Sequence, residues 1–105
     1  MKKIKIADIP YHDFMQILLA MSNDIEFLGA NYALMTGKEH LTYEILVRVY
    51  EHNDKIKAHH SESSKYHFKC SKGEAYFIYS MYAERMDMLN KPMQRLIYNL
   101  HKEII

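Results

Sequence analysis

The 105-residue sequence has one cysteine, two prolines and three glycines. A single thiol, Cys70, excludes an intramolecular disulfide and fits a reducing, cytoplasmic setting. The scarcity of Gly and Pro disfavours a fold of many tight turns. No apolar run reaches the roughly 18 residues that read as a membrane span, so no membrane partner is expected. The opening Met1-Lys2-Lys3 is basic, as in a signal peptide, but Asp8 and Pro10 interrupt any apolar region behind it. The net charge of +1 excludes a chain that binds polyanions over its whole surface. Arginine is scarce too, with 3 Arg against 11 Lys, beside 11 Ile and 9 Tyr. Those residues have AT-rich codons, which suits a low-GC bacterium, its phage or a mobile element.

What remains points to one helical domain spanning residues 1–105. Phe14, Leu18, Met21, Ile25, Leu28, Tyr32 and Met35 alternate in steps of 4 and 3, a helical stripe. With Asp8 as N-cap, Pro10 in the first turn and Gly37 as terminator, this predicts a helix over Pro10–Thr36, about 40 Å long. Asn23 is one place where that helix could break. Thr36-Gly37-Lys38-Glu39 reads as a capping box for a second helix over Lys38–His60, whose stripe is Leu41, Ile45, Val49, His52, Ile56 and His59. The competing reading is α+β. Tyr43–Glu51 alternates and is rich in β-branched and aromatic residues, and Tyr66–Cys70 would be its partner strand. Ser71-Lys72-Gly73-Glu74 is a third capping box. Behind it Ala75, Tyr79, Tyr82, Met86, Leu89, Met93, Leu96 and Leu100 mark a helix over Lys72–Ile104. Pro92 should kink or divide it, with Asn90 as a new N-cap. The fold class read from the sequence is thus all-α, an antiparallel bundle of three long helices, or four or five if broken at Asn23 or Pro92.

Candidate chemistry gathers in His59–Glu74, which holds three of the seven histidines and the cysteine. His60, His67 and Cys70, with His59 or Glu62, are metal-ligand types, but their spacing matches no common zinc pattern, and no metal or other cofactor is expected. Lys55–Lys72 carries five lysines against Glu62, a local excess of +4 on a body of about −3. Lys65, Lys69 and Lys72 with Tyr66 and Phe68 are the residue types of a nucleic-acid contact, phosphate-binding and base-stacking in turn. The run Arg95-Leu96-Ile97-Tyr98-Asn99-Leu100-His101 resembles the Arg-x4–6-His form of the HEPN ribonucleases, which are small helical domains. That resemblance implies Arg95 and His101 acting on an RNA phosphate and 2′-hydroxyl. It departs from the family at Leu96, where a polar residue is usual. No other catalytic pairing is present, so no enzyme is expected.

The clearest functional signal is apolar. No Lys or Arg occurs between Tyr11 and Thr36, and Ile17, Leu19, Phe27 and Leu34 lie off the first stripe. Tyr76, Phe77 and Met88 crowd one half of the third helix beyond what a single stripe absorbs. Ile17, Phe27, Leu34, Tyr76, Phe77 and Met88 are therefore the expected partner-binding residues. They suit a protein-interaction module, an adaptor, regulator or inhibitor of another protein, that also forms a homodimer through its first helix.

Overall fold

The computed structural model describes residues 3–58 and 65–105. The order is β1 (Lys3–Ile9), α1 (Tyr11–Ala30), a 3-10 turn (Tyr32–Leu34), α2 (Gly37–Ala58), β2 (Tyr66–Ser71), α3 (Lys72–Ala83), a second 3-10 turn (Met86–Met88) and α4 (Lys91–Ile104). The chain is mostly helical, but β1 and β2 form a two-stranded antiparallel sheet that the all-α reading lacked. Among the described residues, no helix is long and apolar enough to cross a membrane.

Asp8 is therefore not a helix cap. It sits at the end of β1 with φ 60°, and Pro10 takes the N-cap position of α1 without a side-chain hydrogen bond. The strand explains why. Ile4 and Ile6 alternate inward and face Cys70 and Phe68, but Ile9 is also buried and pairs with Tyr66. An inward residue three positions on from another breaks the period of two. The extra residue at Ala7–Asp8 is a β-bulge that restores the register, and Asp tolerates the left-handed backbone this needs.

Helix α2 spans the stretch that also read as strand, so Tyr43–Glu51 is helical. The Tyr66–Cys70 segment is a strand after all, but its partner is the N-terminal segment. Both capping boxes form. The Thr36 amide donates to Glu39 Oε1 at 3.2 Å and Glu39 N to Thr36 Oγ1 at 3.3 Å; Ser71 and Glu74 make the equivalent pair at 2.8 and 3.1 Å. Gly37 consequently begins α2 rather than terminating α1, and the first helix is shorter than the Pro10–Thr36 expectation. The third helix divides as Pro92 requires, with Asn90 Oδ1 accepting from Met93 N at 2.8 Å. No break occurs at Asn23.

The two halves share one plan, strand–helix–helix, although they share no sequence repeat. In α1 the inward residues Phe14, Ile17, Leu18 and Met21 fall at i, i+3, i+4 and i+7. In α3 Ala75, Ile78, Tyr79 and Tyr82 have the same spacing from their N-cap. Leu46, Val49, Tyr50 and Asn53 of α2 and Met93, Leu96, Ile97 and Leu100 of α4 share that i, i+3, i+4, i+7 spacing, although the α2 set lies two turns further from its cap. Each half also donates an arginine to the first helical turn of the other. Arg48 of α2 binds Glu74 of α3 at 2.8 Å, and Arg95 of α4 binds Asp13 of α1 at 2.9 Å. Helix α1 thus packs on α2 and α4, and α3 on α4 and α2, around the inner face of the sheet.

This arrangement overturns one expected contact residue. Ile17 is 2% exposed. The first helix has to satisfy α4 and β2 as well as α2, so a second row of apolar positions beside the heptad stripe is core. The stripes shift elsewhere too: Leu41 is exposed, and Leu46 and Asn53 are buried in its place.

Candidate protein interface

The connection between α1 and α2 is a built corner. Asn31 ends α1 by donating from Nδ2 to the Phe27 carbonyl at 3.0 Å. The following turn is closed by Leu34 N to Asn31 O and Met35 N to Tyr32 O, at 3.0 and 3.2 Å. His40, one turn into α2, donates from Nε2 to the Tyr32 carbonyl at 2.7 Å. Its ring stacks on Tyr32 at 4.3 Å, and Tyr43 meets Tyr32 edge-on at 5.6 Å. A Cβ at Gly29 would come within 3.2 Å of the Tyr43 hydroxyl, so glycine lets α2 approach α1 closely here.

From Phe27 to Gly37 there is no charged residue. Yet Phe27 is 70% exposed, Leu34 85% and Tyr32 43%. Beside the corner, a groove of about 470 Å³ runs towards α3. Leu28, Phe77 and Met81 line it with Thr36, Lys38, Glu39, Thr42, Ser80 and Glu84. Phe77 is half-buried in its wall, and Tyr76, exposed, packs edge-on to Phe77 at 6.3 Å. Four of the six expected contact residues, Phe27, Leu34, Tyr76 and Phe77, therefore belong to the corner or to the helix bordering its groove. Met88 is exposed but stands in the second 3-10 turn. That connection is held against the middle of α1, where Asn90 donates to the Gln16 carbonyl and Arg85 pairs with Asp24. Tyr82 donates to the same Asp24 carboxylate at 2.6 Å, and burial followed by that carboxylate pushes its phenol pKa up.

The nucleic-acid reading of Lys55–Lys72 loses its stacking residues. Tyr66 and Phe68 are fully buried, as inward positions of β2 must be, and Tyr66 stacks on Phe14 at 4.9 Å. Lys65, Lys69 and Lys72 are exposed. Of the metal-ligand types, His59, His60 and Glu62 lie outside the described residues. Among the described residues no three His, Cys, Asp or Glu side chains group as a metal site. Burial, with Glu74 adding to it against Lys3, pushes the Cys70 thiol up to about 12. It is a neutral core group and a poor nucleophile at neutral pH. The pair that resembles the HEPN motif is divided between neighbours: Arg95 is bound to Asp13, and His101 stacks on Tyr79 at 4.8 Å. Six helical steps place these side chains about 120° apart.

Asn53 and the lysines of β1 do not stand out in the sequence. Asn53 is fully buried and reads as a stripe error, although a polar residue at an apolar position is itself a signal. Lys3 and Lys5 alternate with Ile4 and Ile6, a period-two pattern hidden by its shortness. No family model, curated protein or solved structure matches this chain.

Proposed function

We propose that the protein is a small protein-interaction module, an adaptor, regulator or inhibitor of another protein, and that the α1–α2 corner makes the contact. One observation carries this reading: eleven consecutive uncharged residues, Phe27–Gly37, form an ordered projection on which Phe27, Tyr32 and Leu34 stay exposed. Exposed apolar patches on small monomers usually mark an interface. The aromatic packing of Tyr32, His40 and Tyr43 fixes the corner before binding, which lowers the ordering cost of association. A buried, unreactive Cys70 suits a cytoplasmic setting.

The simplest partner is a second copy, the same corner meeting itself about a two-fold axis. Sedimentation of wild type and of Phe27→Glu with Leu34→Glu, at several concentrations, tests this. The expected result is association of the wild type at high micromolar concentration and a folded, monomeric variant. A wild type that stays monomeric overturns the self-contact.

A further inference from the structure

We propose that the outer face of the β1–β2 ribbon binds the phosphate backbone of double-stranded DNA. This site is independent of the α1–α2 corner. Lys5 stands directly opposite Lys69 in the sheet. The Lys69 amide and carbonyl both turn away from β1, to Asn53 Oδ1 at 2.9 Å and Asn53 Nδ2 at 3.0 Å. The pair is therefore a non-hydrogen-bonded one, in which side chains come closest, with Cα atoms about 4.5 Å apart. Like charges at such a place destabilise a sheet.

Lys3 joins them two residues from Lys5, and all three lysines are exposed. Among the described residues, none of the three forms an ion pair. A groove of about 580 Å³ beside them is lined by Lys3, Lys5, Lys69, Arg48 and His52. Its one carboxylate, Glu74, is already bound to Arg48. Lysines on an open strand edge can serve only to repel other strands. That role does not explain Lys69, because Asn53 already closes the β2 edge at that residue. An anionic ligand relieves the repulsion and accounts for both lysines.

The class of ligand follows from what the face offers. Tyr66 and Phe68 point inward, so β2 supplies no aromatic platform for unstacked bases. Lys3, Lys5 and Lys69 are point charges without the planar fork that reads base edges, which suits backbone contact without sequence preference. A two-stranded ribbon fits the B-form major groove, about 12 Å wide, whereas the RNA duplex groove is too narrow.

Fluorescence anisotropy with a labelled, mixed-sequence 20-base-pair DNA duplex tests the site between 50 and 200 mM salt. Three phosphate contacts predict a log–log salt slope of about −2.7, a roughly 40-fold weakening over that range. Lys5→Gln with Lys69→Gln should reduce the slope to about −0.9. The melting temperature of that variant should hold or rise, because the substitution removes a repulsive pair and no core contact. Absent binding at 50 mM salt, or a folded variant with an unchanged slope, overturns the proposal. So does an RNA duplex of the same sequence bound as tightly as DNA.

Discussion

The first half of the molecule follows the same strand–helix–helix plan as the second, at greater length. Helices α1 and α2 have 20 and 22 residues, α3 and α4 have 12 and 14. At about 1.5 Å per residue, the first helix pair outreaches the second by roughly 12 Å, some two turns. The longer first pair ends in the Phe27–Leu34 corner, where Leu28 and Tyr32 are packed but Phe27 and Leu34 stay exposed. The elongated body, 42 Å against 30 and 29 Å, reflects the same mismatch. Shared architecture builds the core, and the longer pair ends in an exposed apolar corner.

The halves also close their strand edges differently. On β2, the buried Asn53 takes the outward amide and carbonyl of Lys69. The residue matching Asn53 in α4 is Leu100, whose side chain offers no hydrogen bond, and β1 is interrupted by the bulge at Ala7–Asp8. A side-chain amide and a bulge are two answers to the same unpaired backbone.

Substitutions that separate core from corner should show the largest effect first. Ile17→Glu buries a charge between α1 and α4 and should cost at least about 4 kcal/mol, leaving no cooperative unfolding transition in urea. Full retention of that transition would mean that α1 has a single buried face. Next, Asn53→Leu makes the second half's solution out of the first half's residue. It strands the Lys69 amide and carbonyl, and urea denaturation should show a loss of about 2–4 kcal/mol. An unchanged midpoint would show that Asn53 does not hold the β2 edge. Tyr82→Phe removes a charge-assisted hydrogen bond to Asp24 that has no counterpart at Met21, and should cost about 1–2 kcal/mol.

Acid dependence probes the Arg48–Glu74 latch. Burial raises the Glu74 pKa, but hydrogen bonds from Ser71 and Arg48, with the charge of Arg48, bring it below its ordinary 4.5. A depressed carboxylate stabilises the fold above its unfolded pKa, and that contribution is lost as pH falls through the folded value. Glu74→Gln should therefore flatten the fall in melting temperature below about pH 4.5. An equally steep fall in the variant would exclude Glu74 from the acid response. The smallest stability change belongs to the corner. Phe27→Glu and Leu34→Glu should each stay within about 0.5 kcal/mol of wild type, because neither side chain is packed.

Much of this was legible locally. The Thr36 and Ser71 caps and the Asn90–Pro92 division announce themselves within four residues, and the helices follow from them. Strand β1 was not legible, because its hydrogen-bond partner lies at the far end of α2, and Lys3–Ile6 alone is too short to declare itself. Ile17 was misread because a heptad describes a helix with one neighbour, and α1 has several. The alternative nucleic-acid reading of Tyr66 and Phe68 fails because the alternation of β2 gives both an inner face. The exposure of Phe27 and Leu34 was readable because both lie off the first stripe.

The most direct test of the corner as a contact surface is affinity capture from the source cell, with wild type and the folded Phe27→Glu, Leu34→Glu protein compared band by band. The expected result is a partner retained by wild type and by Lys5→Gln with Lys69→Gln, and lost from the corner variant alone. An identical set of captured proteins on all three would contradict it.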